Sequence, residues 1–155
     1  MSPGQSLGSG GSASYEVSTE AGLLDIPRIH AFLTRSYWAE GVSLETVRRS
    51  IENSIPFGLY AAEEQVGFAR AITDRATFAY LADVYIEEPH RGRGLSKLLL
   101  ETVLSHPELQ GVRRWILGTR DGHGLYRKFG FSEPRRPERW MEKSDAALYK
   151  HEDGE

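Results

Sequence analysis

The segment Val84-Tyr85-Ile86-Glu87-Glu88-Pro89-His90-Arg91-Gly92-Arg93-Gly94-Leu95-Ser96-Lys97 has the residue types and spacing that most directly suggest chemistry. An apolar strand-like run ends, a glycine-rich turn follows, and an apolar helical pattern begins at Leu95. The first N–H groups of a helix have no intrahelical acceptor, and together with the helix dipole they favour an anion. Gly92 and Gly94 let the main chain approach a phosphate closely, while Arg91, Arg93 and Lys97 supply positive charge. A dinucleotide fingerprint needs a third glycine where Lys97 stands, and the Gly-Lys-Ser/Thr run of nucleotide hydrolases is absent. The plainer reading is a basic, glycine-capped helix start with no ligand.

A second segment, Thr119-Arg120-Asp121-Gly122-His123-Gly124-Leu125-Tyr126-Arg127-Lys128-Phe129-Gly130-Phe131, reads as a short helix. Leu125 and Phe129 share its buried face, and Tyr126 lies at the edge of that face. Gly130 stands where a helix ending in the left-handed conformation favours glycine. Taken alone, a helical tyrosine is a core residue with its hydroxyl bonded.

Together, in this order, the two segments resemble the GNAT superfamily of N-acetyltransferases. Arg91-Gly92-Arg93-Gly94-Leu95-Ser96 is similar to the family's Arg-x-x-Gly-x-Gly/Ala pyrophosphate motif, with Ser96 at its last, usually small apolar, position. Leu125-Tyr126 and Gly130-Phe131 are similar to its later signature. The resemblance covers essentially 15–143. It implies an α/β (α+β) fold, a mixed, largely antiparallel sheet of six or seven strands, splayed at the centre and flanked by about four helices. It implies acetyl-coenzyme A as cosubstrate. Val84, Tyr85 and Ile86 would pair with the pantetheine arm, Arg91, Gly92, Arg93, Gly94, Leu95 and Ser96 would hold the pyrophosphate, and Asp121 and His123 would add contacts. Tyr126 would face the sulfur. Tyr37, Trp38 and Glu40, in the loop after the first helix, would build the acceptor pocket, although a Tyr-Trp pair there also reads as packing.

Acetyl transfer to an amine sets three demands. The amine, with an ordinary pKa of ~10.4, must lose a proton; the oxyanion needs a donor; and the thiolate, with a cysteine-like pKa of ~8.5, needs a proton or leaves as an anion. Tyr126 is protonated at neutral pH and suits the acid, and a backbone N–H near Tyr85 suits the oxyanion. For the base, Asp83 acts directly or through water, or else it is a strand carboxylate paired with an arginine. Glu40 and His123 are the alternatives, and His123 equally contacts the cofactor or caps its helix.

These residues need a scaffold to position them. Asp25-Ile26-Pro27 starts a helix with an aspartate N-cap, and Ile26, Ile29, Phe32 and Leu33 form its apolar face. Ser43 starts a second helix, with Leu44, Val47 and Ile51 on one side. Strands are expected at Tyr15–Ser18, Phe57–Ala62, Val66–Ile72, Phe78–Ile86 and Val112–Leu117, and again from Phe131. Helices are expected at Leu95–Leu104 and Gly122–Phe129.

The 155 residues suit one domain at 15–143. Residues 1–14, with nine Gly or Ser, read as a flexible leader, and 144–155 as an acidic, frayed tail. The absence of cysteine excludes disulfides, thiolate metal sites and a cysteine nucleophile, and no metal site is expected. No membrane-length apolar run or signal peptide is present, which points to the cytoplasm. Residues 1–90 carry six Lys/Arg against twelve Asp/Glu, net −6, whereas 91–143 carry twelve against six, net +6. That asymmetry suggests a polyanion on one side and a small cationic amine on the other. A small-molecule acceptor, no nucleic acid, no membrane, and a monomer or homodimer are therefore expected. The alternative is a non-catalytic coenzyme A-binding module.

Overall fold

The computed structural model describes residues 5–7, 14–145 and 147–149. One six-stranded sheet runs in chain order through β1 (Gln5–Leu7), β2 (Tyr15–Ser18), β3 (Ile55–Ala61), β4 (Glu64–Thr73), β5 (Phe78–Ile86) and β6 (Arg114–Ile116). Neighbouring strands are antiparallel except β5 and β6, which are parallel. Among the described residues, four α-helices accompany it: α1 (Ile26–Leu33), α2 (Leu44–Glu52), α3 (Leu95–Leu104) and α4 (His123–Arg127).

Local chemistry sets the helix starts. The Asp25 carboxylate accepts from the Arg28 N–H at 3.1 Å, and the Ser43 hydroxyl accepts from the Thr46 N–H at 3.1 Å. Each cap satisfies a backbone donor that has no partner within its helix. α1 and α2 bury Ile29, Leu33, Val47 and Ile51 over one face of the sheet, against Phe68 and Tyr85. α3 buries Leu95, Leu98, Leu99, Leu100 and Val103 with Phe57, Leu59, Val66 and Leu81. The result is three layers, with the sheet between α1–α2 and α3.

Two expectations need correction. The stretch 15–143 contains five strands rather than six or seven, because among the described residues no strand forms from Phe131 onward. Pro134 and Pro137 lack the N–H groups a strand ladder needs, and Pro137–Arg139 instead makes a 3-10 turn. Within the expected leader, Gln5–Leu7 pairs with β2, and the rest of 1–13 lies outside the described residues. Ala146 and 150–155 of the expected tail also lie outside them. Among the described residues, no helix is long and apolar enough to cross a membrane.

One ion pair ties the end of β5 to α1. Arg28 donates to both Glu87 oxygens, at 2.8 and 2.6 Å, and contacts Glu64 at 2.9 Å. The Arg28 guanidinium holds the Glu87 carboxyl below its ordinary range. A carboxyl depressed in the folded state stabilises fully above its unfolded value and loses that contribution as pH falls through the folded value. Glu87→Gln should therefore lower stability at neutral pH by about 1–2 kcal/mol. In chemical denaturation against pH, the gap should close below about pH 4. A gap that is the same at acid and neutral pH would refute the coupling.

Candidate active site

The site is built where β5 runs out of neighbours. β4 pairs with β5 from Ala79 to Ile86, but β6 pairs only with Phe78, Ala79 and Tyr80. Beyond Tyr80 the parallel strands separate, and residues 81–86 line a cleft of about 790 Å³. The splay expected at the sheet's centre thus lies beside its last strand.

Asp83 sits at a bulge in this stretch. Phe68 pairs with Tyr85 and Arg70 with Ala82, so Asp83 and Val84 together oppose Ala69 alone. The Asp83 φ is +56°, a left-handed conformation that side chains other than glycine adopt at a cost. Two partners hold it there. Arg70 Nε donates to Oδ2 at 2.6 Å, and Trp38 Nε1 donates to Oδ1 at 2.9 Å. The Arg70 and Asp83 side chains are only 15% and 10% exposed. Of the two readings of Asp83, the carboxylate paired with an arginine is the one this geometry realises.

The bulge also resets the strand's alternation. Leu81 and Ile86, five positions apart, both join the core beneath α3. Tyr85 turns instead to α1, where its ring stacks on Phe32 at 3.8 Å and 8°.

After β5 the chain reaches the glycine loop. Arg91 Nε donates to the Ile86 carbonyl at 2.8 Å, which folds the arginine back along the strand it follows. Gly92 and Gly94 have φ of +80° and +75°, and a Cβ at either would meet nothing within 4 Å. Gly94 caps α3 without any side-chain hydrogen bond. A second cavity, of about 530 Å³, lies here, lined by Gly92, Gly94, Leu95 and Lys97. It shares Ile86, Arg91, Ser96 and Leu125 with the larger cleft, so the two form one passage.

Tyr126 stands on α4 and lines the larger cleft. Burial pushes its phenol above the ordinary tyrosine range, and nearby Tyr37 adds to the rise. Among the described residues its hydroxyl has no hydrogen-bond partner. The Tyr37 hydroxyl accepts from the Arg120 N–H at 3.2 Å, and the Arg120 guanidinium lies 3.9 Å over the Tyr37 ring. Trp38 meets Tyr37 edge-on at 5.1 Å.

With this geometry in hand, the chain can be compared with known proteins. The model of the acetyltransferase (GNAT) family matches residues 25–131. The chain belongs to the GNAT acetyltransferase family. A curated relative from Gibberella zeae that carries an acetyltransferase name is 34% identical over 137 residues, covering 74% of this chain and 76% of that one. A crystal structure of a GNAT-family protein from Xanthomonas campestris is similar at TM-score 0.86 and 47% identity, covering 88% of this chain and 97% of its own. The fold is also similar to an acetyltransferase structure from Clostridium acetobutylicum, described with acetyl-CoA, at TM-score 0.61 and 16% identity over 89% and 97% of the two chains.

Most of the residues expected to serve a GNAT site come together. Val84, Tyr85, Ile86, Arg91, Ser96, Asp121, Tyr126, Tyr37 and Trp38 line the cleft, and Gly92, Gly94 and Leu95 line its extension. Arg93, His123 and Glu40 are exposed and line neither cavity. The sequence reading missed Arg70, Arg120, Ile72, Tyr80 and Tyr149, all of which line the cleft. Strand periodicity could have flagged Ile72 and Tyr80, which are cross-strand partners.

Replacing Arg70 tests the Asp83 bulge. Arg70→Met leaves a mostly buried carboxylate without its cation and should cost about 3 kcal/mol in urea denaturation. Adding Asp83→Asn should recover part of that loss. Strictly additive losses in the double mutant would show that the pair does not hold the bulge.

Proposed function

We propose that this GNAT protein is an N-acetyltransferase that moves the acetyl group of acetyl-coenzyme A to a primary amine by direct attack in a ternary complex. One observation carries the reading. A single passage connects a glycine loop at a helix start, an unpaired strand edge and an unbonded, protonated phenol. These match, in order, a pyrophosphate, an amide-rich arm and a departing sulfur.

The chain's own groups divide the work. The α3 N–H groups and the Nη atoms of Arg91, whose Nε is already engaged, bind the phosphates. The free edge of β5 aligns the pantetheine amides as an added strand would. Backbone N–H groups near Tyr85 receive the oxyanion. The cosubstrate supplies an activated acetyl group. As the new C–N bond forms and the C–S bond breaks, the nitrogen gives up one proton to water in the open cleft. The departing sulfur takes one from solvent, while the Tyr126 hydroxyl donates a hydrogen bond to the charge that builds on it. Asp83, held by Arg70 and Trp38, keeps the strand in place rather than taking the proton. The family's use of acetyl-CoA and the Clostridium acetobutylicum structure support the cosubstrate. Among the described residues the cleft lining includes only Asp83 and Asp121 as acids, which gives little support to the cationic acceptor expected from half-chain charge.

Two variants separate binding from chemistry. Gly94→Val forces a β-branched residue into left-handed geometry and fills the approach to the phosphates. Wild-type protein at ~100 times Kd of coenzyme A should gain about 2.7 kcal/mol of stability, and the variant should lose that gain. Normal coenzyme A binding by a folded Gly94→Val protein would overturn the loop assignment. Tyr126→Phe keeps the ring and should lower turnover by ~10²-fold, the low end for a lost acid, while cofactor affinity holds. Because burial raises the phenol's pKa, wild-type turnover should decline only at a pH above the ordinary tyrosine range, and the Phe variant should lack that limb. Wild-type turnover by the Phe variant, where chemistry limits the rate, would remove Tyr126 from the mechanism.

A further inference from the structure

The acceptor end of the cleft combines two features. Among the described residues, eleven large apolar side chains are exposed, and five of them line this one cleft: Tyr37, Trp38, Ile72, Tyr80 and Tyr149. Such clustering marks a surface that binds something apolar. The second feature is charge. Arg70 and Asp83 neutralise each other, and Arg91 belongs to the end shared with the glycine loop. That leaves Arg120, which lines the large cleft but not the loop cavity, so its charge is surplus to the phosphates. Its guanidinium is oriented by stacking on Tyr37, and its backbone N–H holds the same tyrosine's hydroxyl. The Asp121 carboxylate lies 3.8 Å from Arg120, and both side chains are exposed, an arrangement that water weakens. A stacked guanidinium keeps its in-plane donors for a planar anion. Tyr37 and Tyr126 line the same cleft, so this arginine's platform faces the cavity that holds the reacting end.

We propose that the acceptor is an aromatic or large apolar α-amino acid, its side chain on the Tyr37, Trp38 and Tyr80 surfaces and its carboxylate on Arg120. This rests on the N-acetyl-transfer reading. The amine nitrogen bonds to the acetyl carbon, the thioester C–S bond breaks, and the products are the N-acetyl amino acid and the free thiol. The ammonium gives one proton to water before attack and the nitrogen a second as the C–N bond forms, while the departing sulfur takes one from solvent.

The test pairs turnover with binding. With acetyl-CoA, kcat/KM is measured for L-phenylalanine and L-tryptophan, for phenethylamine and tryptamine, and for spermidine. The acids should exceed their decarboxylated partners by ~10–100-fold, mainly through KM. Arg120→Met should bring that ratio towards one, and Arg120→Lys should restore part of it. Calorimetric titration of the same amino acids into the coenzyme A-loaded protein reads the class without turnover. Arg120-dependent binding of aromatic amino acids without any acetylation would keep the class and overturn the transfer reading. Turnover of spermidine alone, a ratio untouched by Arg120→Met, or no binding of either amino acid would overturn the class.

Discussion

The site depends on one strained residue held by two neighbours. Asp83 in left-handed geometry carries an energetic penalty of order 1–3 kcal/mol, and the Arg70 ion pair with the Trp38 hydrogen bond offsets it. In return the strand gains one residue and changes phase. A regular strand would send Leu81 and Ile86 to opposite faces; the bulge sends both towards α3 and turns Tyr85 onto Phe32. The same carboxylate anchors Trp38, so the loop after α1 and the strand edge are positioned by one group. A buried ion pair adds little net stability against an apolar replacement. Its value here is in specifying a backbone shape that apolar packing alone would not select.

A second consequence is the division of the passage by chemistry. The end at the glycine loop offers backbone donors, Arg91 and Lys97, whereas the end near Trp38 offers rings and a self-neutralised ion pair. The Arg28–Glu87 pair fastens the start of the loop to α1, while Arg91 bonds back to the Ile86 carbonyl. The loop is therefore tied twice on the approach to its glycines. Anion binding at such a loop loses less conformational entropy than it would at a free one.

How far the site was legible in the sequence follows from the range of the forces involved. Helix starts are local: Asp25 and Ser43 announced α1 and α2, and the apolar run announced α3 at Leu95–Leu104. The glycine loop and Tyr126 are also carried by short motifs, and both line the passage. What could not be read is tertiary. The Asp83 partners are 13 and 45 positions away, and no local pattern signals a left-handed aspartate within an apolar strand. Arg120 looked like one more charge in a basic half until its stacking on Tyr37 set it apart. Half-chain charge is a blunt guide to the acceptor end for the same reason, since Glu40 contributes to the sum but not to the lining. The strand expected from Phe131 failed more locally, on its prolines.

The burial of Tyr126 bears on what a phenol can do for a departing thiolate. A free tyrosine at ~10 is already a weaker acid than a thiol at ~8.5, so complete proton transfer is uphill by roughly 2 kcal/mol. Burial raises the phenol further and increases that deficit. Full donation is then a poor description of its role. A hydrogen bond that strengthens as charge builds on sulfur costs no such transfer, and a desolvated phenol makes it stronger than water would. The raised pKa also keeps the donor from ionising in a cleft where a phenolate would repel the thiolate. On this account Tyr126 acts chiefly by stabilising charge, and solvent supplies the proton that remains on the thiol.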